Sequence, residues 1–392
     1  MAKKIKRLLA VAAAHRAMSV YRQDKRFRGG GPALVFAPAA HGSFGDEALV
    51  LGTGAVLGQM GSDWSLVAPG DLDPWRELGV PDAVSFEDGL AGSGAMWSPP
   101  AADDPFSRAV VIGADGADFS YGIRHVSAKL STLNLAAASG APATLFNFSL
   151  RKSISREGAH LLRRLNPAVR ICARDPFSQE RAREVFGRED VSAAPDVGIF
   201  LTPAFTEASS RIAEWADGRR TAALTINNHL GVNFSSQDML GYFRRIGERL
   251  QSAGFDVLVL AHDIRARQGD PDLARAVSTA LGAGAISAVP GSAREAKAIL
   301  AAVDLHVTSR MHAGVASLSQ AVPTIGLDYV DKFRGQFTWY GAGDSVVPWD
   351  ADDVVDQVAE LVDRLSRDDG VRASLAAKTQ AWKSQPEAWR MS

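Results

Sequence analysis

Residues Val303 to Gly335 read V-D-L-H-V-T-S-R-M-H-A-G-V-A-S-L-S-Q-A-V-P-T-I-G-L-D-Y-V-D-K-F-R-G. Asp304 to Thr308 alternate and are rich in β-formers, the pattern of a strand. Ser309 is placed to cap a helix over the Ala/Leu-rich run from Met311 to Ala321. Pro323 ends that helix, and Thr324 to Tyr329 form a second buried strand. The unit is βαβ, so its strands are parallel and its crossover right-handed. Arg310 and His312 then follow the carboxyl end of the first strand, and Lys332 follows that of the second. Open parallel sheets bind ligands along this edge, and helix N-termini favour anions. Two cations, an imidazole and a helix start on one sheet edge predict a site for a small anionic ligand.

The alternation of strand and helix continues upstream. Thr221 to Asn227, Phe255 to Leu260 and Ile286 to Val289 read as strands. Asp238 to Ala253, Pro271 to Leu281 and Ala293 to Ala301 read as the helices between them. The strand at Leu260 runs into A-H-D-I-R, which places His262 on the same edge. Earlier still, Ala33 to Ala37, Trp64 to Ala68, Ala109 to Ile112, Ala143 to Phe148 and Ala168 to Ala173 are strands. Helices are expected over Glu47 to Gln59, Ser127 to Ser139 and Ser178 to Phe186. The first strand leads into H-G-S-F-G-D, His41 to Asp46, which is not the G-x-G-x-x-G of a dinucleotide site. Gly45 there permits close approach of the backbone to a ligand, or only makes the turn. Asp46 is either a base at a strand's carboxyl end or a carboxylate capping the next helix. Arg174 and Asp175 are expected to pair with each other.

The Pro-rich segment from Pro195 to Phe205 reads as a linker. The chain is therefore α/β, with two Rossmann-like doubly wound domains facing each other and helices at both ends. The expected division is a basic helix over 1–28, a domain over 33–205, a second over 206–348 and terminal helices over 349–392.

The chain of 392 residues is long enough for both cores, and at 46% hydrophobic and 22% charged residues it has the balance of a soluble protein. The single cysteine, Cys172, excludes an internal disulfide framework, falls in an expected strand and fits a reducing cytoplasm. Residues 1–28 hold nine Lys/Arg against Asp24 alone; a net charge of −1 for the whole leaves −9 for the remainder. An acidic body argues against nucleic acid as a partner. For the basic start, three readings stand open: a short signal peptide, a helix lying on an anionic membrane, or a helix that is solvated or packed on a domain. Its apolar stripe is Ile5, Leu8, Leu9 and Ala12.

Ser309-Arg310-Met311-His312, followed by Pro323, Ile325, Leu327, Tyr329, Lys332 and Gly335, resembles the polysaccharide pyruvyl transferase family. The resemblance extends in order through Gly45-Asp46-Glu47-Ala48, R-D-P-F-S from Arg174, Ala194-Pro195-Asp196 and V-L-V-L-A-H ending at His262. It covers residues 40 to 340. The chain departs from the family with serine at Ser43, where asparagine is usual, and with fewer glycines in I-G-A-D-G-A-D. The resemblance implies a GT-B-like fold, with the acceptor on the N-terminal side and the donor on the C-terminal side. It implies phosphoenolpyruvate as donor substrate, no cofactor and no metal, and a pyruvate ketal on a sugar of a cell-surface glycan or its lipid-linked precursor. The implied location is cytoplasmic, peripheral at the inner face of the membrane if the basic helix binds there.

In that chemistry Arg310 suits a planar carboxylate or phosphate and Lys332 a point contact. Ser309, Gly45 and His262 join them in substrate binding. His312 is the candidate acid, and for the base Asp46, His41 and His262 stand in that order. Two alternatives stay open: a GT-B glycosyltransferase using a nucleotide sugar, and an inactive carbohydrate-binding homologue.

Overall fold

A computed structural model describes residues 2–80, 82–91, 94–98, 105–119, 122–232, 236–266, 269–329 and 332–389. The chain divides into two units, each drawing on separate stretches of sequence. The first is Met1–His41, Leu49–Val197 and Pro386–Ser392; the second is Gly42–Ala48 and Gly198–Gln385.

In chain order the first unit contains α1 (Ala2–Met18), β1 (Gly31–Phe36), most of α2 (Phe44–Gln59), β2 (Trp64–Ala68), α3 (Asp73–Glu77) and β3 (Ala83–Ser85). A small antiparallel pair, β4 (Leu90–Ala91) and β5 (Met96–Trp97), precedes β6 (Phe106–Ala114). Then come α4 (Ile123–Ala138), β7 (Ala143–Phe148), α5 (Arg156–Leu162), β8 (Arg170–Ala173), α6 (Pro176–Phe186) and β9 (Ser192–Ala193). The sheet runs β3-β2-β1-β6-β7-β8-β9, and all its pairings are parallel. The order reverses between β1 and β6, as in a doubly wound sheet. Every residue of β7 is buried, because helices cover both faces of a parallel sheet.

Within this unit α1 is anchored by its last turns: Ala14 and Met18 join the core containing Leu130 and Leu133 of α4. Leu8 and Leu9 are exposed, so the stripe that reads as apolar faces away from the core. Side chains of residues 2–5, Ile5 among them, lie outside the described set.

The second unit continues with α7 (Glu207–Ala216), β10 (Thr221–Thr225), α8 (Ser236–Ser252), β11 (Asp256–Leu260), α9 (Pro271–Leu281), β12 (Ala285–Ala288) and α10 (Ala293–Leu300). It closes with β13 (Leu305–Thr308), α11 (Met311–Leu318), β14 (Thr324–Asp328), α12 (Phe333–Thr338), β15 (Val346–Pro348), α13 (Val354–Arg367) and α14 (Val371–Lys383). Its sheet is β12-β11-β10-β13-β14-β15, again parallel throughout, with the reversal between β10 and β13. The ends of β10 and β13 thus flank the crevice where such sheets bind ligands.

Several local expectations are corrected. Ser309 does not cap α11: its hydroxyl donates to Thr225 O (3.1 Å), Arg310 occupies the cap position, and no side chain caps the helix. α11 ends at Leu318, not Ala321, because Ala321 turns left-handed (φ 62°) and the Val322 amide bonds back to Ser317 O at 3.1 Å. α2 begins at Phe44, three residues early, with Ser43 Oγ accepting from the Asp46 amide at 3.5 Å. Asp46 therefore sits inside the first turn and is not the cap. Arg174 and Asp175 do not pair: Asp175 caps α6, accepting from the Ser178 amide at 2.7 Å, while Arg174 turns to other carboxylates.

Candidate functional site

The carboxyl edge of the second sheet gathers five segments. β13 runs into Arg310 and His312, and β11 runs into the loop His262 to Asp270. β10 leads to Asn227, Asn228 and His229, and β14 leads to Tyr329 and Lys332. The fifth segment, Gly42 to Ala48, comes from the other end of the sequence yet belongs to this unit. Backbone bonds fix it there: the Phe44 amide donates to His262 O (3.3 Å), and the Ile264 amide to Gly42 O (2.8 Å).

Arg310 is held rigidly. Its Nε and Nη2 donate to Asp270 Oδ2 (3.1 Å) and Oδ1 (2.6 Å), a side-on fork, and Nη1 lies 3.5 Å from Asp263 Oδ2. Asp270 is fully buried. It also accepts from the backbone amides of Asn228 (3.0 Å) and His262 (3.2 Å), so a single carboxylate ties three loops together. The fork consumes one edge of the guanidinium. Nη1 and the outer hydrogen of Nη2 stay directed elsewhere, so Arg310 can still donate to an anion. Burial pushes its pKa down, but Asp270, Tyr329 and Asp263 outweigh that, and the guanidinium stays charged.

Asp263 has a second set of cations. Arg265 forks onto it through Nε (3.0 Å) and Nη2 (2.5 Å), and His229 Nε2 lies 3.5 Å from Oδ2. Burial pushes the Asp263 carboxyl up, yet the bonds from His229 and Arg265 and the nearby guanidinium charges hold it well below the usual carboxylate range.

His312 lies in the first turn of α11, against Gly45. A Cβ built on Gly45 would collide with His312 Nδ1, Cγ and Cε1, so only glycine admits the ring at this position. His262 is nearly buried, its ring edge-on to Phe44 at 5.5 Å. Burial, then the charges of Arg310 and His312, push its pKa well down, which keeps the imidazole neutral. Lys332 is buried, with Nζ 5.8 Å from the centre of the Tyr329 ring. Beneath the edge, His306 is fully buried between Thr225 Oγ1 (2.7 Å from Nε2) and Ser317 Oγ (2.6 Å from Nδ1). Burial drives its pKa down to about 3.

Of the residues predicted from sequence, Arg310, His312, His262, Gly45, Asp46 and Lys332 all fall in this unit, around these loops. Ser309 is fully buried with its hydroxyl turned to Thr225, so it braces the loop and offers no side chain to a ligand. His41 belongs to the first unit, where its ring packs edge-on against Trp75 at 5.5 Å. Phe333 and Tyr340 are core residues, and Trp339 stacks edge-on with Trp382 at 4.9 Å. Asp263, Asp270, Arg265 and His229 were missed as a network. The A-H-D-I-R run was the available signal, but Asp270 gives none, because its importance comes from loop closure.

The first unit carries its own buried ionic cluster. Arg174 is fully buried, donating to Ser149 Oγ (2.9 Å) and pairing with Asp196 (3.3 Å) and Asp115. Thus R-D-P-F-S, A-P-D and G-A-D-G-A-D, far apart in sequence, meet at one guanidinium. The residue before Asp115, Ala114, is left-handed (φ 44°), as is Asn147 (φ 51°) on the neighbouring strand. Asn147 donates to Pro195 O (3.2 Å) and accepts from the Val197 amide (3.2 Å), holding the chain where it leaves this unit. Among the described residues, no group of three or more His, Cys, Asp or Glu side chains is placed to hold a metal ion, and no helix is long and apolar enough to cross a membrane.

Solved structures similar to the chain share its fold at low identity. A glycosyltransferase from Rickettsia africae is 10% identical, with 90% of this chain and 94% of that one covered and a TM-score of 0.55. A putative UDP-N-acetylglucosamine 2-epimerase from Listeria monocytogenes is 11% identical, covering 88% and 90%, with a TM-score of 0.58. CalG4, the calicheamicin glycosyltransferase, is 13% identical, covering 91% and 95%, with a TM-score of 0.51. The fold is therefore the GT-B type expected from the sequence. No curated protein matches the chain. Residues 44–331, most of the chain and of the edge described above, with Gly42, Ser43 and Lys332 just outside, match the polysaccharide pyruvyl transferase model, and the chain is a transferase belonging to that family.

Proposed function

We propose that the protein transfers the three-carbon unit of phosphoenolpyruvate to two hydroxyls of one sugar, forming a pyruvate ketal and releasing phosphate. The acceptor is a glycan of the cell surface or its lipid-linked precursor. The observation that carries the reading is the pairing of Arg310 with His312 at an uncapped helix start, with Arg310 oriented by the Asp270 fork. Phosphoenolpyruvate presents a carboxylate and a phosphate on one small frame. A fixed guanidinium edge, the Lys332 ammonium and the N-terminal turn of α11 are donors of the right kind for both groups.

In this reading His312 delivers a proton to the methylene carbon as the first hydroxyl attacks C2. The hydroxyl's own proton passes to a base, for which Asp46, half-buried in the first turn of α2, is the candidate. The second hydroxyl then displaces phosphate from C2; its proton leaves with the phosphate or to solvent. Each turnover thus breaks two O–H bonds, the enol C=C π bond and the C–O bond to phosphate, and forms one C–H and two C–O bonds. One of the two hydroxyl protons balances the proton on carbon once His312 is reprotonated, and the other goes to phosphate or solvent. His262, kept neutral by burial, can accept or donate one hydrogen bond without adding charge. The donor and the buried, unpaired Cys172 both fit a cytoplasmic enzyme.

The test is calorimetric titration with phosphoenolpyruvate beside a panel of nucleotide sugars, followed by turnover in His312→Ala. Saturable phosphoenolpyruvate binding, weakened at least tenfold in Arg310→Lys, and loss of turnover in His312→Ala are expected. Binding of a nucleotide sugar alone moves the protein to a sugar-transfer reading, and unchanged turnover in His312→Ala removes that residue from the chemistry.

A further inference from the structure

We infer that the first half of α1 is a docking surface for an anionic lipid bilayer. The helix carries apolar residues on two opposite sides. The side it gives to the protein is made of small or flexible residues, Ala14, Ala17 and Met18, all buried. At 100° per residue, Leu8, Leu9 and Ala12 lie on the opposite side. Leu8 is 62% exposed and Leu9 59%, two of the largest apolar exposures among the described residues. A helix that needed only to pack on α4 would turn these leucines inward; here they have no place in the core.

The surroundings of this stripe select the partner. Lys6, Arg7, Arg16, Arg22, Lys25 and Arg28 are all exposed. The stretch 1–28 carries +8 against −9 for the remainder of the chain, and the exposed Lys6 and Arg7 directly precede the leucines on the helix. A short apolar stripe beside a dense basic surface fits a membrane interface. Leucine side chains enter the headgroup boundary, and cations are drawn to acidic phospholipid. A second copy of the chain offers the same +8 on its own helix, and like charge opposes that pairing. The surface would hold the enzyme where a lipid-linked acceptor resides, but the inference stands on the helix alone and holds whatever the donor proves to be.

The experiment is co-sedimentation of the full-length protein with vesicles of phosphatidylcholine alone or containing phosphatidylglycerol, at low and high salt. The expected result is binding to the phosphatidylglycerol vesicles only, weakened at least tenfold by 0.5 M salt. A double variant, Leu8→Gln with Leu9→Gln, and a second, Lys6→Gln with Arg7→Gln, should each reduce partitioning at least fivefold, with melting temperature and turnover of a soluble acceptor unchanged. Equal binding to both vesicle types, or none to either, overturns the inference. So does self-association that depends on Leu8 and Leu9 without vesicle binding, which would give the face to a second copy.

Discussion

Gly45 and His312 form a contact that excludes any side chain at position 45: the imidazole occupies the space where a Cβ would be. The glycine of the first loop thus has a steric task, set by a residue 267 positions later in the sequence. Gly45→Ala should displace the His312 ring by about an ångström and lower kcat by roughly 100-fold. Its effect on the melting temperature should be smaller than its effect on kcat, because the atoms a Cβ would meet all belong to one side chain and none to the backbone. Steady-state kinetics beside a thermal melt checks this, and a variant with full activity would refute the contact's role.

Asp270 orients Arg310 from a fully buried position, so its charge matters to both folding and binding. Breaking a buried pair costs about 3–5 kcal/mol because a desolvated charge is left behind. Asp270→Asn should fall at the low end of that range, since Asp263 remains 3.5 Å from Nη1. The variant should also raise KM for the anionic donor at least tenfold while changing kcat less. Denaturant midpoints and initial rates separate the two effects.

Acid should destabilise the protein through two buried imidazoles. His306 has a folded pKa of about 3, and that of His262 lies well below 6.5. Below about pH 6.5 the unfolded chain binds these protons and the folded chain does not, so stability falls as pH falls. Each group contributes a slope of about 1.4 kcal/mol per pH unit, and for His306 the slope ends near its folded value. The depressed carboxyl of Asp263 acts in the same direction, but only below about pH 4. Urea titrations at pH 6.0, 5.5 and 5.0 should show the slope of wild type reduced by about one proton in His306→Gln.

In the first unit Arg174→Lys should be far from conservative. The guanidinium reaches Ser149, Asp196 and Asp115 from one planar group, a geometry that an ammonium cannot reproduce. Asp196 is fully buried and would lose its contact with the guanidinium. A loss of about 3 kcal/mol is expected, read from the denaturation midpoint. Loss below about 0.5 kcal/mol would mean that lysine and water satisfy the site.

The parallel strands were legible because each is a short apolar run bounded by turns; β2, β7 and α9 begin and end at the residues read from the sequence. β3, β9 and β15, at the sheet edges, were not, since two or three residues leave no period to read. The site was legible where its residues are adjacent in sequence, as with Arg310 and His312. Asp270 was invisible because nothing in G-D-P marks it as more than the start of α9; only the closure of the His262–Asp270 loop brings it under Arg310. The cap expected at Ser309 failed for a related reason. A serine beside a strand end can bond to the neighbouring strand, and Thr225 O is the acceptor it finds.

Trp389 donates from its indole to Pro195 O at 2.9 Å, the same carbonyl that accepts from the Asn147 amide. This bond spans 194 positions and joins Trp389 to the point where the chain leaves the first unit for the longer stretch of the second. On the ribosome, the seven-stranded sheet can assemble long before that tryptophan is synthesised, so the Pro195 turn must wait with Asn147 alone as its donor. The first unit is thus completed last, after the whole of the second has emerged. A chain truncated after Gln385 should hold the strands of both sheets and still lack the indole that secures the Pro195 turn.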